Sequence, residues 1–117
     1  MSSVEITVIK VLYDAALAEE YLTDGNEAGP CPFHEAGQRY VYEGEAEKPD
    51  GLCPWAWIDI YRSVSAIAAG ATNKPWNKRD SESILCCTDG IRPVIFRIRR
   101  IDEQTAAEII VQNSHDE

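Results

Sequence analysis

The sequence has no apolar run near the ~18 residues that a membrane-spanning helix needs, and no basic, apolar leader of signal length at its start. Basic residues are also scarce: 11 lysines and arginines stand against 20 aspartates and glutamates, a formal net charge of -9. Such a charge disfavours attraction to nucleic-acid phosphates or to an anionic membrane. The only local basic patch, Arg97, Arg99 and Arg100, is expected to form one solvated strand face. We therefore expect a cytosolic protein without nucleic-acid or membrane partners.

Motifs that would name a reaction are missing as well. The chain contains no glycine-rich phosphate loop, no G-x-S-x-G elbow and no H-E-x-x-H pair. It also contains no internal repeat and no low-complexity tract. Its 117 residues suffice for one hydrophobic core and are too few for two. Candidate functional residues must therefore be sought among individual side chains.

Hydrophobic periodicity predicts the order strand, helix, strand, helix, strand, strand along the chain. Strands are expected over 4–12, 38–45, 83–87 and 94–100, and helices over 15–22 and 54–69. This order is typical of an α+β domain, with a small, mostly antiparallel sheet or a partly closed barrel packed against one main helix. We assign residues 1–102 to that single domain and residues 103–117 to an acidic C-terminal extension. The extension is expected to be partly disordered, with a helix or a ragged segment up to Gln112 and disorder over 113–117.

The helix over 54–69 is the most strongly indicated element. Pro54 suits the first helical position, because the N–H that it lacks would be unpaired there. Apolar side chains recur at helical spacing and form the expected core face: Trp57, Ile60, Tyr61, Val64, Ile67 and Ala68. Trp55 falls outside this stripe and is expected either to cover a pocket or partner, or to fold over the loop before the helix.

Four cysteines carry most of the chemical information in the sequence: Cys31, Cys53, Cys86 and Cys87. In the reducing cytosol they are expected to be free thiols rather than a disulfide framework. Free thiols serve as small buried packing groups, as metal ligands or as reactive groups. The positions of the cysteines along the chain help to distinguish these roles.

Two positions favour a reactive thiol. Cys53 directly precedes Pro54 at the start of the main helix, where free N–H groups and the helix dipole favour a thiolate. Cys86 and Cys87 end an apolar strand before an Asp-Gly turn, and on a strand they point to opposite faces. Either one is core and the other functional, in which case Cys87 is the better candidate, or the turn begins early enough to bring both together. We predict Cys53 and Cys87 as catalytic thiols, with plain packing as the alternative.

A metal centre is a further interpretation of the same thiols. Cys31 and His34 have the close spacing of a metal-binding loop, and soft thiolates with imidazole suit zinc or iron. The candidate metal ligands are Cys31, Cys53, Cys86 and Cys87. Only one closely spaced ligand pair is present, however, and a lone loop histidine is more often solvated.

Asp89 and Arg92 flank the turn that follows the cysteine pair. Arginine offers a planar, two-pronged donor for a small anion or carboxylate, so both residues are candidate ligand-binding groups. The alternative is a turn in which Asp89 caps its own backbone and pairs with Arg92.

Two segments resemble the motifs of a family of short, stand-alone, uncharacterised bacterial and archaeal proteins. Residues 53–60 fit C-x-W-A-W-x-D-I and residues 86–94 fit C-C-T-D-G-x-R-P-V, and ITVIK near the start and GPC at 29–31 add to the likeness. The resemblance covers roughly residues 3–102 and implies a shared site without naming an activity. The residues that it singles out are Cys31, Cys53, Trp55, Trp57, Asp59, Cys86, Cys87, Asp89 and Arg92. His34 lies outside these motifs.

These observations predict a cysteine-centred site in a small cytosolic protein. The site is expected to bind a soft metal, zinc or iron, or to act on a small ligand through thiolate chemistry, with Trp55, Asp59, Asp89 and Arg92 around that ligand. The alternative is a non-catalytic module that forms a homo-oligomer or binds another protein, with its cysteines buried in the core. Tryptophan and tyrosine rings outside the core stripe favour this alternative, because such rings are enriched at interfaces.

Overall fold

The computed structural model of the protein describes residues 2–115 and confirms the α+β class. The elements are strand β1 (Ser3–Val11), helix α1 (Ala15–Tyr21), strand β2 (Arg39–Tyr42), helix α2 (Pro54–Ala68), strands β3 (Glu82–Cys86) and β4 (Val94–Ile101), and helix α3 (Glu103–His115). The four strands form one antiparallel sheet in the order β2-β1-β4-β3. The sequence allowed either a small antiparallel sheet or a partly closed barrel. The observed sheet does not close on itself, so the first of these architectures is the correct one. Within residues 2–115, no helix has both the length and the apolarity to cross a bilayer.

One face of the sheet packs against α2 and holds the core. Val4, Ile6 and Val8 alternate along β1 and are fully buried on this face. Most of the predicted core stripe of α2 is buried against them, namely Ile60, Val64, Ile67 and Ala68, and Ala56 joins these residues. Trp57 and Tyr61 are only partly buried, because they lie at the margin of the core and pack beside Tyr42.

The opposite face of the sheet is organised around a buried carboxylate. Glu5 is fully buried, and its Oε1 atom accepts hydrogen bonds from Arg97 Nη2 at 2.6 Å and Thr7 Oγ1 at 2.9 Å. Arg99 Nη2 donates to the Oε2 atom at 3.1 Å. Burial alone would raise the pKa of Glu5, but the hydrogen bonds from Arg99, Arg97 and Thr7 outweigh burial and lower it from the ordinary 4.5.

The expectation of one solvated arginine face on β4 is therefore wrong. Arg97 and Arg99 point to the face that carries Glu5 and bind its carboxylate. Arg100 points to the other face, as strand alternation requires, and its Nη1 atom donates to the Ile67 carbonyl at 2.7 Å.

Helix α3 packs against β2 and β1 and continues over Asn113 and Ser114, where the sequence predicted disorder. Two residues of the helix itself, Ala106 and Ile109, are buried. The Asn113 side-chain amide donates to the Arg39 carbonyl of β2 at 2.7 Å. These contacts give the extension an apolar and a polar anchor on the sheet, which a short amphipathic segment needs to stay helical. The last two residues of the predicted extension, Asp116 and Glu117, lie outside the described part.

Candidate functional site: a thiol-lined cleft at the start of α2

A cleft of about 250 Å³ opens where the start of α2 meets the end of β3 and the loop that precedes β2. Its lining includes six of the predicted site residues: Cys31, Cys53, Trp55, Cys87, Asp89 and Arg92. Three chain segments that are distant in sequence thus bring three of the four cysteines to one concave surface. All four cysteines are free thiols. Cys86 and Asp59, also predicted as site residues, are not part of this lining.

Cys53 is the N-cap residue of α2, at the position that the sequence predicted. Its side chain makes no capping hydrogen bond, whereas its carbonyl accepts the Trp57 N–H at 2.9 Å and so begins the helix. The Cys53 N–H donates to His34 Nε2 at 3.2 Å. The backbone on both sides of the thiol is therefore held in place, while the sulfur faces the cleft.

His34 is a buried structural residue, so the expectation of a solvated loop histidine is wrong. Its exposed fraction is only 3 %. Because Nε2 accepts the Cys53 N–H, the proton of the neutral ring sits on Nδ1 and is donated to Gln38 Oε1 at 2.9 Å. The ring also packs edge-on against Phe96, with centroids 5.6 Å apart. Both nitrogens are thus engaged within the protein, and neither is free to bind a metal.

The strand alternation that the sequence predicted separates Cys86 from Cys87. Cys87 pairs with Val94 one step beyond β3, donating its N–H to the Val94 carbonyl at 3.2 Å and accepting the Val94 N–H at its sulfur at 3.4 Å. This contact fixes the Cys87 sulfur beside the cleft. Cys86 points the other way, is exposed rather than core, and its Sγ atom donates to the Cys87 carbonyl at 3.0 Å.

Cys86 is consequently a poor thiolate and lies outside the site in which it was expected as a metal ligand. Partial burial is the main factor that raises the pKa of the Cys86 thiol above its ordinary 9.0, and the neighbouring Cys87 and Asp59 raise it further. The two adjacent cysteines therefore differ in both direction and surroundings.

Asp89 caps the turn after β3, as the alternative interpretation proposed. Its Oδ1 atom accepts the N–H groups of Ile91 and Arg92, both at 3.0 Å, and its Oδ2 atom pairs with Arg92 Nε at 3.3 Å. Burial would raise the pKa of Asp89, but these bonds from Arg92 and Ile91 lower it below the ordinary 3.8. Asp89 is therefore an ionised group that positions Arg92 at the cleft.

Asp59 acts as a tether rather than as a lining residue. Its Oδ2 atom accepts the Thr88 N–H at 2.8 Å and the Thr88 hydroxyl at 3.1 Å. Trp55 Nε1 in turn donates to Thr88 Oγ1 at 2.8 Å. This chain of hydrogen bonds joins the first turns of α2 to the segment after β3 and holds the indole over the cleft. Sequence reasoning missed Thr88, although it lies inside the C-C-T-D-G motif.

The expected zinc or iron centre does not fit the residues present. Among residues 2–115, no group of three or more histidine, cysteine, aspartate or glutamate side chains is arranged so that it could hold a metal ion. Cys86 points away from the other three thiols, and both ring nitrogens of His34 are already engaged.

Comparison with known proteins adds no assignment: no protein-family model, no curated protein and no solved structure matches this chain. The family resemblance of the two cysteine motifs accordingly stays a prediction. The functional interpretation rests on the cleft and its side chains.

Proposed function

We propose that the cleft binds a small anionic molecule and that Cys53 and Cys87 act on it through thiolate chemistry, in a protein expected to reside in the reducing cytosol. The observation that carries the proposal is the convergence of Cys31, Cys53 and Cys87 on one cleft beside the Arg92 guanidinium. Convergence of nucleophilic groups in a concave pocket is the usual mark of a reaction site.

The lining restricts the ligand. A volume of about 250 Å³ is near the lower end of small-molecule sites, which span roughly 300–1,000 Å³, so the ligand is small. Phe33, Trp55, Ala56 and Val94 offer apolar and aromatic contacts. Arg92 uses its Nε atom to pair with Asp89, which leaves the two terminal nitrogens outside that ion pair and suited to a carboxylate.

Thiol–disulfide exchange is the reaction that these groups support most simply. The Cys53 or Cys87 thiol first loses its proton to water, and the thiolate then attacks one sulfur of a small disulfide that carries a carboxylate. A bond forms between the protein sulfur and that ligand sulfur, and the original S–S bond breaks. The second half of the ligand leaves as a thiolate. The small disulfide is thus the oxidant, and no metal or further cofactor is needed.

A kinetic comparison of two aromatic disulfides tests this proposal. The Cys86→Ser protein serves as background, because Cys86 lies outside the cleft and its substitution removes a slow reaction that is unrelated to the site. Dithiobis-nitrobenzoate carries carboxylates and dithiodipyridine does not. We expect the carboxylated reagent to react in a fast phase that saturates with concentration. Arg92→Gln should slow that phase by roughly 10- to 150-fold and leave the reaction with the neutral reagent unchanged, since a charge-assisted hydrogen bond is worth about 1.5–3 kcal/mol.

The same assay assigns the thiols. In the Cys86→Ser background, Cys53→Ser combined with Cys87→Ser should abolish the fast phase, whereas Cys31→Ser should keep it. Circular dichroism of each variant controls for folding. Survival of the fast phase without both Cys53 and Cys87 would refute the proposal.

A second candidate function is a non-catalytic interaction module. Large apolar side chains that solvent reaches favour it: Trp76 is 90 % exposed and Ile58 is 80 % exposed. This candidate predicts that the three thiols left in the Cys86→Ser background all react slowly, together with self-association or capture of a protein partner.

A further inference from the structure

The two edge strands of the sheet, β2 and β3, differ in how far other elements cover their outer sides. An edge strand presents unpaired N–H and C=O groups along its outer side and is a template for another strand. At the β2 edge, helix α3 packs on the strand, and Asn113 donates to the Arg39 carbonyl. No strand of residues 2–115 pairs with the outer side of β3.

The pairing of β3 with β4 shows which groups point outward. Cys87 donates to the Val94 carbonyl at 3.2 Å, and Arg100 donates to the Ser81 carbonyl at 2.9 Å. Hydrogen-bonded pairs alternate along an antiparallel ladder, so Ser83 and Leu85 also face β4. The backbone groups of Glu82, Ile84 and Cys86 therefore face away from the sheet. Of these, the Glu82 carbonyl accepts a hydrogen bond from the Asn77 side chain at 2.8 Å.

Beyond the Glu82 charge and the Asn77 contact at one end, strand β3 has little of the usual protection of an edge. It contains no proline and no lysine, and its pairing with β4 shows no register shift. Ile84, at its centre, is 51 % exposed. The strand thus offers both open backbone groups and an apolar side chain to a partner.

We propose that β3 pairs with β3 of a second copy of this chain, antiparallel about a two-fold axis centred on Ile84. A single strand is self-complementary in this arrangement, which is the condition for an isologous dimer. Ile84 then lies opposite Ile84 of the second copy, and Glu82 lies opposite Cys86. The four-stranded sheet becomes one continuous sheet across both copies.

Charge disfavours an alternative register that is centred on Glu82. A shift that paired Glu82 with Glu82 of the second copy would place two carboxylates directly opposite each other. In the centred register each Glu82 faces an uncharged thiol instead, and it keeps its contacts with Arg79 at 3.4 Å and Arg97 at 3.8 Å. The interface is narrow, so we expect a weak dimer whose population depends on protein concentration. This pairing does not depend on thiol chemistry in the cleft.

Sedimentation of the full chain over a micromolar to submillimolar range tests the dimer. The wild-type protein should change from monomer to dimer with concentration. Ile84→Lys places two ammonium groups opposite each other at the centre of the interface and should abolish the dimer. Val111→Lys, at a similarly exposed site on α3, should leave it intact. A wild-type protein that is monomeric throughout, or an unchanged dimer in the Ile84→Lys variant, would overturn the proposal.

Disulfide trapping tests the register. Residues in a hydrogen-bonded antiparallel pair have Cα atoms about 5.5 Å apart, within the range of about 4.4–6.8 Å that a disulfide spans. Glu82→Cys should therefore crosslink to Cys86 of the second copy under mild oxidation, with the linkage identified by peptide mass spectrometry. Within one strand the same positions are roughly 14 Å apart and cannot be bridged. Ile58→Cys, on the exposed side of α2, controls for collisional crosslinking, and equal crosslinking from that site would also overturn the proposal.

Discussion

The ring of His34 accepts the backbone N–H of Cys53 at 3.2 Å and so ties the loop before β2 to the start of α2. This bond spans 19 residues of sequence and connects two of the three segments that form the cleft. The position of the Cys53 thiol therefore depends on a buried imidazole that has no open nitrogen of its own.

Removing this imidazole should loosen the cleft and destabilise the fold. His34→Phe keeps an aromatic ring but leaves the partly buried Cys53 N–H without its acceptor, and we expect a loss of about 1 kcal/mol in the free energy of unfolding, the lower end for an unsatisfied donor. His34→Ala adds a cavity and should cost about 3–5 kcal/mol. Urea denaturation measures both changes. Equal stability of His34→Phe and the wild type would show that the hydrogen bond contributes nothing.

The buried carboxylate of Glu5 should be the most sensitive single polar group of the sheet. Glu5→Gln leaves Arg97 and Arg99 facing each other without a negative charge between them. We expect a loss of about 3 kcal/mol, near the lower end for breaking a buried ion pair because both arginines retain partial access to water. Glu108→Gln, an exposed substitution on α3, should change stability by less than about 0.5 kcal/mol. Comparable effects of the two substitutions would contradict this account.

The pH dependence of stability should reflect Glu5. Its pKa is lower in the folded chain than the ordinary 4.5, so its contribution to stability is complete above pH 4.5 and is lost as the pH falls through the folded-state pKa. The free energy of unfolding should therefore decrease as the pH falls from 4.5 through the folded-state pKa of Glu5. Glu5→Gln should show a smaller decrease over the same interval. Parallel curves for the two proteins would assign the acid sensitivity to other carboxyl groups.

Cys86 should react slowly even though its thiol is exposed to solvent. Its raised pKa keeps the thiol protonated at neutral pH, although solvent reaches it. We expect slow alkylation by iodoacetamide at pH 7 and a rate that is still increasing above pH 9. Mass spectrometry of native and urea-unfolded protein provides the comparison. Faster alkylation in the folded chain than in the unfolded chain at pH 7 would contradict the assigned direction.

Local patterns predict the elements of this fold well. Alternating β-branched residues predict β1, and the spacing of Ile60, Val64 and Ile67 predicts the core face of α2. Strand alternation also predicts that Cys86 and Cys87 point apart, and the Asp-Gly pair predicts the turn that Asp89 caps. Each of these features depends on residues that are close in sequence.

The features that local patterns miss depend on distant partners. Glu5 lies in an apolar strand and is buried because Arg97 and Arg99 reach it from 92 and 94 residues away. The burial of His34 depends on Cys53 and Phe96. Helix α3 continues past Gln112 because the Asn113 side chain donates a hydrogen bond to the Arg39 carbonyl at the edge of β2. A pattern confined to one segment contains no information on such pairings.

The order in which the four cysteines react tests the central claim most directly. Native protein is treated with less than one equivalent of dithiobis-nitrobenzoate, and the mixed disulfides are located by peptide mass spectrometry, with urea-unfolded protein as the reference. Exposure alone predicts that Cys86 is modified first, because it is the exposed member of the four. A thiol site in the cleft predicts modification of Cys53 or Cys87 first and of Cys86 last. Initial labelling at Cys86 would contradict a reactive cleft.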